Sequence, residues 1–383
     1  MQVKNTKELQ AKIQELEKKV EQYHEFEEDV VKRLSGTKFV GFFEPLDFDD
    51  VVMQFQRSAA RFKGWSFTFE KAKLHFIIYQ TLCKLTNIDK YSEDFIVSIA
   101  DNGFSFSNDD FIEDATFKIY QELLDKDISI GNLKIQEATR LENGTAISLF
   151  PLITSPFVYV PRIAYNLDEF SYPAVTLTKE NRTLSLDPYV MFTHADYISR
   201  ATGKVLILGL NLGYVVNSVA SKDNVSKVTV VESDHNLIEL YKTYVLPKIK
   251  AKDRIEVIEA DVVEYLQTLN DEKYDYILND LKSRNLDLKD YLKIKEISHK
   301  FKHSAIEHYA EIEYAFDLSF YLLKLVENSI EKLPKAMLKK SKEIDDQKLY
   351  EMLKLKFDKT KINESFDIDL LLNVQNIIMQ LTI

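Results

Sequence analysis

From Lys204 to Leu281 the chain alternates short apolar runs with amphipathic stretches, and this alternation constrains the fold more than any other feature. Val205-Leu206-Ile207-Leu208, Val228-Thr229-Val230-Val231, Ile255-Glu256-Val257-Ile258 and Tyr274 to Leu278 read as strands, with helices starting near Tyr214, Asn236 and Val262. Strands so short and apolar need cover on both faces, and single intervening helices make the connections crossovers. The expectation is an α/β unit: a parallel sheet with helices on both faces. A fifth strand near Phe301 to Glu307 would extend it, although no Gly-Gly turn announces one.

The strand ends carry the polar residues that matter. The first strand runs into Gly209-Leu210-Asn211-Leu212-Gly213, and three of the nine glycines lie between Gly203 and Gly213. A glycine-bearing turn between a parallel strand and a helix lets a ligand approach the backbone closely. Glu232, followed by Ser233, closes the second strand, where a carboxylate can accept both hydroxyl hydrogens of a ribose. Asp261, followed by Val262, closes the third, where it could accept an adenine amino group. Asn279 and Asp280 close the fourth and face the expected place of reaction. All four loops lie at the edge where open α/β sheets bind ligands, so a Rossmann-like nucleotide pocket is expected.

Val205 to Gly213 resembles motif I of class I S-adenosylmethionine-dependent methyltransferases, and Val230-Val231-Glu232-Ser233-Asp234 with Leu237-Ile238 resembles their second motif. Tyr274-Asp275-Tyr276-Ile277-Leu278-Asn279-Asp280 is most similar to the fourth-strand motif of the spermidine synthase branch. That branch carries a Leu-x-Leu-Asp hairpin ahead of the domain, matched here by Leu184-Ser185-Leu186-Asp187. The resemblance covers residues 172–281 and implies S-adenosylmethionine as cofactor. It would be held by Gly209, Asn211, Gly213, Glu232, Ser233, Asp261, Val262 and Asn279, with Asp280 as the catalytic proton acceptor.

The departures are informative. Asn211 replaces the usual central glycine of motif I; Asn is the best non-glycine occupant of a left-handed conformation, but its side chain would crowd the pocket. Asp280 is followed by Leu281-Lys282-Ser283, so the second, amine-binding Asp of polyamine synthases is missing, and Lys282 would repel a polyamine. The Pro-Pro-aromatic signature of amino-directed nucleic-acid methyltransferases is absent, and Cys83, the only cysteine, is remote from the fourth strand.

The flanks read differently. Leu9, Ile13, Leu16, Val20, Tyr23, Val30 and Leu34 follow alternating three- and four-residue spacings, with Glu27 as the break. Such a stripe serves either a coiled coil, hence a homo-oligomer joined through this helix, or a helix folded onto its own body. Residues 36–141 are aromatic-rich and helical in pattern, with Phe39, Phe62 and Trp65 among the expected core. Five of the eight prolines, from Pro151 to Pro188, exclude long helices. Within that segment Ala174–Leu177 and Thr183–Leu186 read as a β-hairpin, with a lead-in helix from Val190 to Ser199. Beyond Tyr314 the chain is helical. The partition expected is 1–35 helix, 36–150 mainly helical domain, 151–200 hairpin and lead-in helix, 201–313 Rossmann-like domain, and 314–383 C-terminal helices.

The formal net charge of −11 opposes general binding to nucleic acid. No apolar run is long enough to span a bilayer, and the lone cysteine fits a reducing compartment, so a cytoplasmic location is expected. His299, His303 and Glu307 would share a face only if helical, and a solvated surface is the plainer reading, so no metal is expected. Lys332, Lys335, Lys339 and Lys342 read as a solvated stripe among acids. His194 lies on the helix ahead of motif I, where the family often presents residues to substrate. Together these readings point to S-adenosylmethionine-dependent methyl transfer to a small-molecule or protein acceptor. Spermidine synthase-like aminoalkyl transfer and a non-catalytic scaffold with a degenerate pocket are the alternatives.

Overall fold

The computed structural model describes residues 1–26, 104–105, 112–141, 145–166, 170–177, 182–186, 188–271, 273–281, 288–330 and 347–381. The chain opens with β1 (Gln2–Val3) and helix α1 (Lys7–Phe26). After β2 (Phe104–Ser105) come α2 (Ala115–Leu124) and the strands β3 (Ser129–Ile130), β4 (Leu133–Leu141), β5 (Thr145–Ser155), β6 (Val158–Asn166), β7 (Phe170–Leu177) and β8 (Arg182–Ser185). Helix α3 (Pro188–Arg200) leads into the alternating unit: β9 (Gly203–Leu208), α4 (Tyr214–Ala220), β10 (Val225–Glu232), α5 (His235–Leu240), β11 (Ile255–Glu259), α6 (Val262–Thr268) and β12 (Tyr276–Asn279). It closes with α7 (Leu288–Ser298) and β13 (Ala305–His308), and α8 (Glu311–Ser329), α9 (Gln347–Lys356), β14 (Lys361–Ile362), α10 (Ser365–Leu372) and α11 (Val374–Leu381) follow.

Among the described residues the central sheet has five strands in the order β11-β10-β9-β12-β13. Every neighbouring pair is parallel. The apolar runs are explained by their two faces. Val205, Ile207, Val228, Val230, Tyr276 and Leu278 bury into the core beneath α4 and α5, while Leu206, Leu208, Val231 and Ile277 bury into the opposite core beneath α6 and α7. A period of two cannot show as polar alternation when both faces are buried. The chain enters at β9, builds outward to β11, then returns to the other side at β12. The carboxyl ends of β9 and β12 therefore form the topological switch point, where such sheets bind ligands.

The expected hairpin is present, β7 pairing antiparallel with β8 in the register Ala174↔Ser185. The fifth strand is present as well, at Ala305–His308, paired with β12. Of the stretch expected to be helical to residue 141, residues 36–103, including Phe39, Phe62, Trp65 and Cys83, lie outside the described residues. The described remainder contains α2 but also β3 and β4, so strands begin earlier than the pattern suggested. β4 carries a register shift between Glu137 and Thr139, which breaks the even alternation by which a strand is recognised.

The N-terminal stripe is used within the chain as far as its side chains are described. Leu9, Ile13 and Leu16 are buried among residues of α8, α9, α10 and α11. That is the folded-back alternative for this part of the stripe; Tyr23, Val30 and Leu34 lie outside the described side chains. Phe157, at the β5–β6 turn, joins the same cluster with its ring centroid 4.8 Å from that of Phe320. Among the described residues no helix is long and apolar enough to cross a membrane.

On the amino-terminal edge of the sheet, cations close the helix ends. Lys222 Nζ donates to the carbonyls of Ile198, Ser199 and Ala201 at 2.6–2.7 Å, at the C-terminal end of α3. Arg254 caps α4 through the Ala220, Lys222 and Val225 carbonyls, and Lys300 caps α6 through those of Leu266 and Gln267. Each places positive charge at the negative end of a helix dipole and satisfies carbonyls the helix leaves open.

Candidate functional site at the carboxyl edge of the sheet

The turn after β9 is left-handed at three positions: Gly209 (φ 103°), Asn211 (φ 48°) and Gly213 (φ 78°). Gly209 passes so close to the neighbouring strand end that an added Cβ would lie 3.0 Å from the Asp280 carbonyl oxygen. At Gly213 an added Cβ would lie 2.4 Å from the Tyr241 ring, so glycine is needed there for packing as well as for φ. That ring is itself anchored, its hydroxyl donating to Asn217 Oδ1 at 2.5 Å while Asn217 Nδ2 donates to Thr116 Oγ1 at 3.0 Å. Asn211 does adopt the left-handed conformation expected of it. Its side chain reaches across the switch point: Nδ2 donates to the Asp280 carbonyl oxygen and to Asp280 Oδ2, both at 3.1 Å.

Glu232 is fixed by backbone. Its Oε2 accepts from Leu210 N–H at 3.0 Å, and its Oε1 accepts from Ser233 and Asp234 N–H at 2.8 and 2.9 Å. Three amide donors orient the carboxylate and hold the first two strand ends together, and two oxygens with about four acceptor positions leave room for another donor. Ser233 is exposed beside it. Asp261 is exposed and begins α6, its Oδ1 accepting from Glu264 N–H at 2.9 Å, while Val262 is buried beneath it. Glu232, Asp261 and the Gly209–Gly213 turn thus lie along one edge of adjacent strands.

Asn279 faces elsewhere. It is buried, its Nδ2 donating to His308 Nδ1 at 3.2 Å and its Oδ1 accepting from Leu281 N–H at 3.3 Å. Both contacts lie at the β12–β13 edge. Burial, reinforced by the nearby Lys295 cation, pushes the His308 imidazole down to about 3. Lys295 is held by Glu311, which also accepts from the Tyr291 hydroxyl at 2.9 Å.

Asp280 is 2% exposed and is joined to a residue far away in sequence. His194 Nε2 lies 2.8 Å from Asp280 Oδ1, and His194 Nδ1 lies 2.6 Å from the Val190 carbonyl oxygen. The imidazole stacks on Tyr309 at 3.8 Å, and the Tyr309 hydroxyl meets Thr193 Oγ1 at 2.6 Å. His194 is thus joined directly to Asp280, while the neighbouring Tyr309 and His308 escaped the sequence reading. Their only signal was a position at the end of the fifth strand, a strand weakly marked itself.

The other sequence candidates disperse. His303 pairs with Asp271 in a turn, with Nδ1 2.6 Å from Oδ2, and Glu307 on β13 takes a two-point contact from Arg200 at 2.7 Å. His299, His303 and Glu307 share no helix face, and no metal-holding group occurs among the described residues. Lys282, Ser283 and the stripe Lys332 to Lys342 lie outside those residues.

Sheet order and crossovers make residues 203–308 a Rossmann-like unit, a parallel sheet with helices on both faces. Within it and its lead-in helix, residues 189–305 match the family model described as the spermine/spermidine synthase domain. Among solved structures the chain is similar to spermidine synthase from Thermotoga maritima, at 18% identity over 41% of this chain and 60% of that one, TM-score 0.29. It is similar to a precorrin 8w decarboxylase from Methanobacterium thermoautotrophicum, at 18% identity over 34% of this chain and 73% of that one, TM-score 0.27. It is also similar to the methyltransferase domain of a bacterial CtHen1 protein, at 15% identity over 30% of this chain and 58% of that one, TM-score 0.23. The match thus spans about 60% of the Thermotoga protein's length. No curated protein matches the chain.

Proposed function

We propose that the protein is a transferase that binds S-adenosylmethionine at the carboxyl edge of its sheet and methylates a small-molecule or protein acceptor. The observation that carries this reading is Glu232: a carboxylate held by three backbone amides at the end of β10, beside a left-handed turn. A rigid acceptor with open lone pairs suits the two hydroxyls of a ribose. The Gly209–Gly213 turn and Asp261 would flank the nucleoside. When bound, the cofactor supplies a methyl group activated on a sulfonium sulfur. The chain's residues orient it, and Asp280, joined to His194 through Oδ1 and to Asn211 through Oδ2, would line the place where the acceptor reacts.

Aminoalkyl transfer, the second reading, draws equal support from the spermine/spermidine synthase domain match. The missing second Asp after Asp280 places it behind methyl transfer. Calorimetric titration of the full chain with S-adenosylmethionine, S-adenosylhomocysteine and decarboxylated S-adenosylmethionine distinguishes the readings. The expected result is binding of the first two, weakened at least about tenfold in a folded Glu232→Ala variant, since each charge-assisted hydrogen bond contributes roughly 1.5–3 kcal/mol. Preference for the decarboxylated ligand would favour aminoalkyl transfer. Binding of none would overturn both and favour a scaffold.

A further inference from the structure

The His194–Asp280 pair fixes the electrical character of the place where an acceptor would react. His194 has an acceptor on each side: the Val190 carbonyl oxygen at 2.6 Å from Nδ1 and Asp280 Oδ1 at 2.8 Å from Nε2. A carbonyl oxygen cannot donate, so Nδ1 carries a hydrogen. Two facing lone pairs at 2.8 Å repel, so a second proton lies between Nε2 and Oδ1. Wherever along that line it sits, imidazole and carboxyl together hold two protons and carry no net charge. Both side chains are nearly sealed from water, at 5% and 2% exposure.

The surrounding buried groups continue the pattern. Asp280 Oδ2 is met by the neutral Asn211 amide. His308 is neutral and accepts from Asn279, and the Lys295 ammonium is matched by Glu311. The buried polar groups at the ends of β12 and β13 are thus individually compensated. Among the described residues at these two strand ends, an ammonium would lose its hydration and meet no uncompensated anion.

We infer that the acceptor is uncharged at its reacting end, as a hydroxyl or amide is, and that His194 excludes cationic amines by neutralising Asp280. The inference rests on the transferase reading above, but its electrostatic part is testable without it. The first measurement is proton NMR of the ligand-free full chain near neutral pH. A strongly deshielded, exchange-protected proton is expected, absent from His194→Gln and from Asp280→Asn. The second is calorimetric titration with putrescine as a dicationic probe. Wild type is expected to show no saturable binding in the millimolar range, whereas folded His194→Gln, which leaves Asp280 anionic, gains at least about tenfold.

Absence of the bridging proton, or saturable putrescine binding by wild type that Asp280→Asn abolishes, would overturn the inference. So would a folded His194→Gln that gains nothing. If that variant fails to fold, the two wild-type measurements decide. Titration of the same samples with S-adenosylhomocysteine separates the two ideas, because its failure sinks the adenosyl reading and leaves the charge of the pair measured.

Discussion

Lowering the pH should destabilise this protein through one identifiable histidine. His308 closes β13 and is neutral for two structural reasons: it is buried, and the Lys295 ammonium lies nearby, the two together pushing its pKa from 6.5 down to about 3. Its Nδ1 lone pair also accepts from Asn279 Nδ2 at 3.2 Å, a bond the imidazolium cannot keep. The folded value lies below the unfolded one, so the unfolded chain takes up the proton first. The stability contributed by neutral His308 is complete above about pH 6.5 and is lost as pH falls toward about 3. The slope approaches ~1.4 kcal/mol per pH unit within that window. Between about pH 7 and about pH 5 the loss comes to roughly 2 kcal/mol, set mainly by the unfolded pKa because pH 5 is still far above the folded one. Urea unfolding of wild type and His308→Gln, followed by circular dichroism at both pH values, isolates the effect, since other titrating groups cancel between the two. Glutamine can still accept from Asn279 and does not titrate. Wild type should lose roughly 2 kcal/mol more than the variant. Equal losses, within the roughly 10–15% uncertainty of such extrapolations, would refute the account of His308 as a buried neutral base.

Three further outcomes follow from the packing and the turn. Leu16→Ala should cost about 2–5 kcal/mol, because the side chain is fully buried against the C-terminal helices; a change under about 1 kcal/mol in thermal or urea unfolding would contradict the folded-back arrangement of α1. Gly213→Ala should cost more than the roughly 1–2 kcal/mol of a left-handed φ alone, because its Cβ would also run into the Tyr241 ring; a variant melting with wild type would disprove that close approach. Asn211→Gly relieves backbone strain of about 1 kcal/mol but removes two hydrogen bonds to Asp280, so stability should change by less than about 2 kcal/mol while S-adenosylhomocysteine binding tightens. Calorimetry giving unchanged or weaker binding would argue against the side chain crowding the ligand.

Most of the central sheet could be read from the sequence because its strands are buried on both faces and their composition is extreme. Val205-Leu206-Ile207-Leu208 has few other ways to be soluble. The strand-end acids were legible for a related reason: each lies within three residues of the end of such a run, so locating the strand locates Glu232, Asp261 and Asp280. What depended on tertiary pairing was not. Asn279, adjacent to Asp280, turns toward His308, a choice decided by a neighbouring strand. His194 was visible as a residue, but its bond to Asp280 spans 86 positions and leaves no local pattern. The stripe Leu9-Ile13-Leu16 was ambiguous in principle, since an apolar helix face is the same whether its partner is a second copy or α8 to α11. Strands β3 and β4 were missed because β3 is only Ser129–Ile130 and a register shift between Glu137 and Thr139 breaks the alternation of β4.

The cations on the lower rim carry a rule of assembly. Lys222, just before β10, fastens α3; Arg254, just before β11, fastens α4; Lys300, just before β13, fastens α6. Each thus comes from the loop that delivers a later strand and secures a helix already laid down one crossover earlier. Replacing one of these cations is therefore expected to leave open the carbonyls of the helix that precedes it in the chain, and not those of its own neighbours.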